Sequence, residues 1–274
     1  MKIKNLLTRT VSGVIYCALI VGLTLMGREG VLLLAGLLGA LATVELAKIS
    51  HGLTRRTIPL IIVDVAGVLS LCMIGYGYAL WLWIAILIVR FVEELYVKNP
   101  HPLRSLANSA LTQIYIGVPM CLMVSLANYL DPRVVLLLFI FIWINDTGAF
   151  LVGSLLGRHR LFERISPKKS WEGFFGGLLL VVVAAVLFGL YCPGTFGLGR
   201  FDIGLWGWFG LGVVASVFST WGDLVESMIK RDLQIKDSGH IIPGHGGILD
   251  RIDSLLLVVP AAFIYLLFLA CNLL

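Results

Sequence analysis

The sequence predicts an all-α protein, a polytopic bundle of transmembrane helices, on three observations. Hydrophobic residues make up 59% of the 274 and charged residues only 14%, with a mean hydropathy of +0.96. Soluble domains carry about 25% charged residues, so this chain has too few to cover a water-facing surface. Its apolar residues run on for about 20 positions at a time, the length a helix needs to cross about 30 Å of hydrocarbon. They do not alternate as the strands of a β-barrel would. Lysine and arginine, finally, concentrate in every second connection between these runs.

Nine apolar stretches stand out, near residues 11–27, 30–47, 58–75, 77–92, 109–130, 134–156, 174–192, 203–222 and 254–274. Only helices satisfy their own backbone polar groups in hydrocarbon, so each is expected to be a helix. With the N-terminus in the cytoplasm and nine alternating spans, 18 of the 21 Lys and Arg residues fall inside. That count includes Arg90, at the cytoplasmic end of the fourth span; Arg28, Arg133 and Arg200 fall outside. Such a split is the positive-inside pattern, and it places the C-terminus outside. The expected location is the cell inner (cytoplasmic) membrane. The turns at Arg28–Gly30 and Gly75–Gly77 are short enough for re-entrant hairpins, but the charge split favours full spans. Gly153-xxx-Gly157 and Gly173-xxx-Gly177 have the small-residue spacing that allows close helix packing.

Lys2, Lys4 and Arg9 precede the first apolar run with no clear A-x-A site, so an uncleaved first span is expected. There is no fixed-period repeat and no low-complexity tract. Residues 1–140 read as N-terminal spans, and 141–274 as a catalytic region with cytoplasmic motif loops. The formal charge of +5 fits cytoplasmic loops rather than nucleic-acid binding. Five cysteines, at 17, 72, 121, 192 and 271, lie in or beside apolar runs. No CxxC or CxxxH spacing occurs, which excludes zinc and redox motifs.

Polar chemistry gathers in two cytoplasmic loops. The first reads RHRLFERISPKKSWEG from Arg158 to Gly173. A solvated basic loop on anionic headgroups explains its arginines. Ser166, Lys168, Lys169 and Ser170 lie between Pro167 and a helix start, and lysines with hydroxyls suit phosphate oxygens. Just upstream, Asp146 sits inside an apolar span between Asn145 and Thr147. An intramembrane carboxylate costs about 2.5–3.5 kcal/mol on the insertion scale, so it calls for a partner or a function. Asp64 in the third span has no polar neighbours in sequence, leaving a helix–helix hydrogen bond and a site role equally open.

The second loop runs from Ser219 to Ser254. If the eighth span continues as a helix beyond the membrane, Asp223, Ser227 and Lys230 share a stripe. Glu226 and Lys230 also form an i,i+4 pair that serves the helix alone. Pro243-Gly244-His245-Gly246-Gly247 describes a tight loop whose backbone can approach a ligand closely. Asp250 and Asp253 follow, three apart around Arg251. Carboxylates with open positions hold Mg²⁺ beside substrate phosphates, and Lys and Arg neutralise the remaining charge. There is no GxxxxGK[ST], no GxGxxG after a strand, no HExxH and no DGxxAR. The residues alone therefore indicate a Mg²⁺-dependent enzyme acting on a phosphorylated substrate at the cytoplasmic surface.

The run Ser227-Met-Ile-Lys230-Arg231, then Lys236-Asp237-Ser238-Gly239, Pro243-Gly244-His245-Gly246-Gly247 and Asp250-Arg251-Ile-Asp253, resembles the motif of the phosphatidate cytidylyltransferases, also called CDP-diacylglycerol synthases. The resemblance reaches upstream to Ser166–Gly173 and to Asp146–Phe150, where Phe150 stands in place of the Tyr of many members. It covers the C-terminal half; residues 1 to about 140 resemble the family only as a hydrophobic region. It implies transfer of a cytidylyl group from CTP to phosphatidate, Mg²⁺ with a possible second cation, and a homodimer. Asp223 and Asp250 would be the metal ligands. The catalytic set becomes Asp146, Asp223, Lys230, Arg231 and Asp250. The substrate-binding set becomes Ser166, Lys168, Lys169, Ser170, Lys236, Asp237, His245, Gly246, Gly247, Arg251 and Asp253. Two other readings compete. One is an ion-coupled secondary transporter using Asp64 and Asp146; the other is a different lipid-phosphate transferase of the dolichol kinase type.

Overall fold

Each apolar stretch forms a helix, and the boundaries follow local chemistry. The computed structural model describes residues 2–50, 57–78, 80–196, 198, 203–239 and 246–273. The helices are α1 (Lys2–Leu25), α2 (Arg28–Ile49), α3 (Ile58–Tyr76), α4 (Trp81–Tyr96), α5 (Pro102–Thr112), α6 (Val118–Tyr129), α7 (Pro132–Leu156), α8 (Trp171–Tyr191), α9 (Gly204–Asp232) and α10 (Leu249–Leu273). A π-helical turn, Gln113–Gly117, joins α5 to α6. The α3 helix stops at Gly77, which adopts a left-handed φ of 111° that a side chain would strain, and its N–H returns to the Ile74 carbonyl. At the start of α7, the Asp131 carboxylate caps the Arg133 N–H beside Pro132.

Seven helical segments among the described residues are long and apolar enough to cross a membrane. They are Arg28–Ile49, Ile58–Tyr76, Pro102–Tyr129, Pro132–Leu156, Trp171–Tyr191, Gly204–Asp232 and Leu249–Cys271. Two expected spans fall below that length. Among the described residues, Thr10–Leu25 of α1 is a shorter apolar helix. The α4 helix has 16 residues and buries Arg90 and Glu94. The chain is a multi-pass membrane protein by these segments.

Two compact units divide the chain: Met1–Asn128 with Leu233–Ile252, and Tyr129–Asp232 with Asp253–Leu274. In the first, α2 packs on α1 and α3, and α3 also meets α4 and the π turn. Its most polar feature lies among α3, α4 and α5. Arg90 is 3% exposed, and its guanidinium donates to Ser109 Oγ, Glu94 Oε2 and Ser105 Oγ, each at 2.8 Å. Asp64 Oδ1 lies 3.7 Å from the same group, and Ser109 donates to Asp64 Oδ2 at 3.0 Å. The sequence places Arg90 among the cytoplasmic basic residues; the structure buries it as the counter-ion of Asp64 and Glu94. Asp64 is thereby a helix-packing carboxylate, which removes one of the two aspartates a transporter would use.

In the second unit α7, α8 and α9 pack mutually. The expected small-residue contact is real: a Cβ on Gly173 would come 2.8 Å from the Ala149 carbonyl and 3.2 Å from the Gly153 Cα. A Cβ on Gly177 would meet the Asn145 carbonyl at 2.9 Å. Between α7 and α8 the chain forms an antiparallel hairpin, β1 (Arg160–Phe162) and β2 (Ser166–Ser170), where the sequence shows only a loop.

Removing one partner of a buried ion pair strands the other charge. Arg90→Ala is expected to cost about 3–5 kcal/mol of stability, read as a lower unfolding midpoint in detergent. A midpoint equal to wild type would show that the cluster contributes nothing.

Candidate active site

The first motif loop is closed by its own polar residues. Ser170 is the N-cap of α8, its hydroxyl accepting the Gly173 N–H at 3.2 Å. One turn on, Glu172 reaches back to accept the N–H groups of Arg158 at 3.1 Å and His159 at 3.2 Å. It also meets His159 Nδ1 at 2.6 Å. Arg231, at the end of α9, donates from Nε to the Ile165 carbonyl at 3.3 Å and so tethers the hairpin turn. Between these anchors β2 presents Lys168 and Lys169 to a cavity of about 430 Å³.

That cavity combines charge with apolar surface. Asp146, Lys168, Lys169 and Asp223 provide the charge, and Phe150, Leu161 and Phe174 provide the apolar lining. Lys169 Nζ lies 2.7 Å from Asp223 Oδ2 and 3.3 Å from the Thr220 carbonyl. Asp253 stands within electrostatic range of Asp223, Asp146 and Lys169. Ser227 donates to Asp223 Oδ1 at 3.2 Å. Asn145 holds α7 to α9: it accepts from Ser216 Oγ at 2.6 Å and donates to Ser219 Oγ at 3.3 Å. Asp146, Lys168, Lys169 and Asp223 thus line one cavity, with Asp253 in electrostatic range of three of them.

Other members of the expected set are placed differently. The α9 helix extends to Asp232, and within it Lys230 makes the expected i,i+4 ion pair with the fully buried Glu226. Ser170 acts as a cap and Ser166 lies in β2. In the other unit, Asp250 binds the backbone on both sides of residues 240–245. Its Oδ2 accepts the N–H groups of Ser238 at 3.0 Å and Gly247 at 2.9 Å, beside Gly246 at a left-handed φ of 86°. Lys236, Asp237 and Arg251 are exposed. His245 lies outside the described residues. Sequence reasoning missed Glu45 of α2, which is 2% exposed and accepts from Ser238 Oγ and the Leu249 N–H. The signal was present: an acid in an apolar run calls for a partner, as it does at Asp64 and Asp146.

No three His, Cys, Asp or Glu side chains among the described residues form a protein-only metal cage. Mg²⁺ does not need one, since it binds one or two carboxylates together with waters and substrate phosphates. The oxygen donors of Asp223, with Asp146 and Asp253 nearby, suit such a hard cation. Lys169 shows that a positive charge is already favoured against Asp223.

The fold and the cavity define a multi-pass helical membrane protein with a basic hairpin and aspartates around one largely apolar cavity. More particularly, the chain belongs to the cytidylyltransferase family, whose model matches residues 7–269. It is 32% identical over 270 residues to the phosphatidate cytidylyltransferase of Staphylococcus haemolyticus, an alignment covering 94% of this chain and 98% of that protein. Over 135 residues it is 44% identical to the phosphatidate cytidylyltransferase of Staphylococcus aureus strain COL, covering 48% of each chain. The protein of that name from Staphylococcus saprophyticus is 42% identical over 133 residues, again 48% of each.

Loss of the α8 cap tests how firmly β2 is held. Ser170→Ala is expected to destabilise by about 1 kcal/mol, measured by unfolding in detergent, while Ser170→Asp retains most of the stability. Equal losses in both variants would exclude capping.

Proposed function

We propose that this protein transfers the cytidylyl group of CTP to phosphatidate, giving CDP-diacylglycerol and pyrophosphate for phospholipid synthesis. The observation that carries this reading is the near full-length likeness to a protein bearing that activity in its name. The mixed lining of the cavity supports it, because one substrate is a triphosphate and the other an anionic lipid.

The chemistry asks for charge management more than for a base. A phosphate monoester has a second pKa of about 6, so phosphatidate is already nucleophilic at neutral pH. One of its phosphate oxygens forms a bond to the α-phosphorus of CTP, while the bond between that phosphorus and the β-phosphate bridging oxygen breaks. Pyrophosphate leaves with the electron pair. The obstacle is repulsion between two anions, and positioning with charge neutralisation overcomes it.

In this proposal Lys168 and Lys169 contact phosphate oxygens in the cavity, and binding releases Lys169 from Asp223. Lys230, Arg231, Lys236 and Arg251 are further phosphate partners, and the backbone at Gly246 and Gly247 approaches the triphosphate. Ser166, Ser170, Asp237, His245 and Asp253 complete the substrate-binding set, with Asp146 in the catalytic one. Asp223 and Asp250 are the proposed ligands of Mg²⁺, which supplies charge neutralisation when bound; a second cation is part of the proposal. Phe150, Leu161 and Phe174 face the glycerol and acyl portion. Residues 141–274 carry most of the chemistry.

The proposed topology has nine spans with the N-terminus cytoplasmic, counting the shorter helices α1 and α4. With Arg90 withdrawn into the bundle, 17 basic residues remain on the cytoplasmic side against three outside. In this proposal the protein is a homodimer of the inner membrane, and its motif loops reach soluble CTP.

Purified protein in detergent is expected to release pyrophosphate only with CTP, phosphatidate and Mg²⁺ together. Asp223→Asn and Asp250→Asn are each expected to lower the rate by about 100-fold or more. Turnover of another lipid phosphate in place of phosphatidate, or none in folded wild type, would overturn the assignment.

A further inference from the structure

The described segments on either side of residues 240–245 are held by a residue from the other end of the sequence. Glu45, near the C-terminal end of α2, is 2% exposed within the run Ala42-Thr43-Val44-Glu45-Leu46-Ala47. Its Oε2 accepts the Ser238 hydroxyl at 3.0 Å and the Leu249 N–H at 2.7 Å. Leu249 opens α10, so its N–H is one of the donors that a helix leaves without an intrahelical partner. Glu45 thus caps α10 from another helix. Its Oε1 presses on Gly239 and Gly247, where a Cβ on either glycine would collide with the carboxylate. Ser238 is gripped twice, by its hydroxyl on Glu45 and by its N–H on Asp250. Gly247 gives its N–H to Asp250 and its Cα face to Glu45.

We propose that Glu45 is a positioning residue for the reaction. It fixes segments 236–239 and 246–250 against each other, and so places Lys236, Asp250 and the Gly246–Gly247 backbone for the nucleotide phosphates. The ligand in this inference rests on the cytidylyltransferase reading, whereas the tether does not. A carboxylate in an apolar helix is costly, so its burial calls for partners or a role. Its two acceptor bonds and its contact with two glycines all serve the one loop. A Cβ at 239 would meet Glu45, and one at 247 would meet both the Ser238 hydroxyl and Glu45.

Kinetics of Glu45→Ala, Glu45→Gln, Ser238→Ala and the double variant Glu45→Ala/Ser238→Ala test this. Gln keeps an acceptor oxygen for both donors, so its KM for CTP is expected to stay within about threefold of wild type. Glu45→Ala is expected to raise the KM for CTP about tenfold or more while the KM for phosphatidate stays within about twofold. Ser238→Ala gives a smaller rise, and the double variant is no worse than Glu45→Ala, because the two act through one contact. A purely structural role would reduce the active fraction and leave the KM for CTP unmoved, which would overturn the proposal. Additive effects of the two alanines would overturn it as well.

If Glu45→Ala does not fold, Glu45→Gln and Ser238→Ala carry the test, and an unchanged KM for CTP in Ser238→Ala is then the overturning result. Should wild type fail to turn over CTP, the function reading fails separately. Trypsin cleavage after Lys236 in detergent still reads the tether, with Ser238→Ala cut about fivefold faster. An unchanged cleavage rate would overturn it.

Discussion

A charge inside an apolar helix has to be paired or has to face water, because leaving it bare costs several kcal/mol. This chain meets that constraint in two ways, and the difference separates scaffold from site. Arg90 is buried against Asp64 and Glu94, and Ser105 and Ser109 link the three. Every nitrogen of the guanidinium that could reach a substrate is already engaged within the helices. Asp223 and Lys169, by contrast, are partly exposed on a cavity and hold each other by a single contact. Such a pair can open to admit an anion, since the arriving phosphate replaces the carboxylate that the lysine gives up.

Close packing delivers those groups. Gly153 against Gly173, and Gly177 against Asn145, bring α7 and α8 near enough for backbone contact. The connection between them then has to return over a short span, and it does so as a hairpin. Ser170, Glu172 and Arg231 fasten that hairpin at its end, base and turn. Lys168 and Lys169 are presented on a strand whose ends are both fixed, which limits the entropy lost when they bind phosphate. The glycine-rich loop is handled in the same manner by Asp250 and Glu45. In both motif regions a carboxylate accepts two backbone N–H groups.

Asp250 and Lys230 show why motif residues need three dimensions to interpret. Both stand in the stretch that resembles the family. The structure gives Asp250 two backbone donors and gives Lys230 a buried glutamate. Neither arrangement excludes chemistry with a substrate. The Lys230 pair is the i,i+4 contact that spacing allows, whereas spacing does not reveal the role of Asp250, because a carboxylate in the first turn of a helix can face a loop or a neighbour equally well.

The sequence by itself determined the solvent, the class and most of the helices, because hydrophobic run length and charge segregation are local quantities. It also brought out Asp146, Lys168, Lys169, Asp223 and Asp253, since polar residues beside apolar spans are conspicuous, and the structure gathers these five. Only the tertiary structure decided which charges are scaffold: Arg90 left the cytoplasmic count, and Asp64 became its partner. Only the tertiary structure brought Glu45, 193 positions away, onto Ser238. Local pattern shows that a buried charge needs a partner; helix packing chooses it, because contacts between distant helices depend on the shapes of both faces at once.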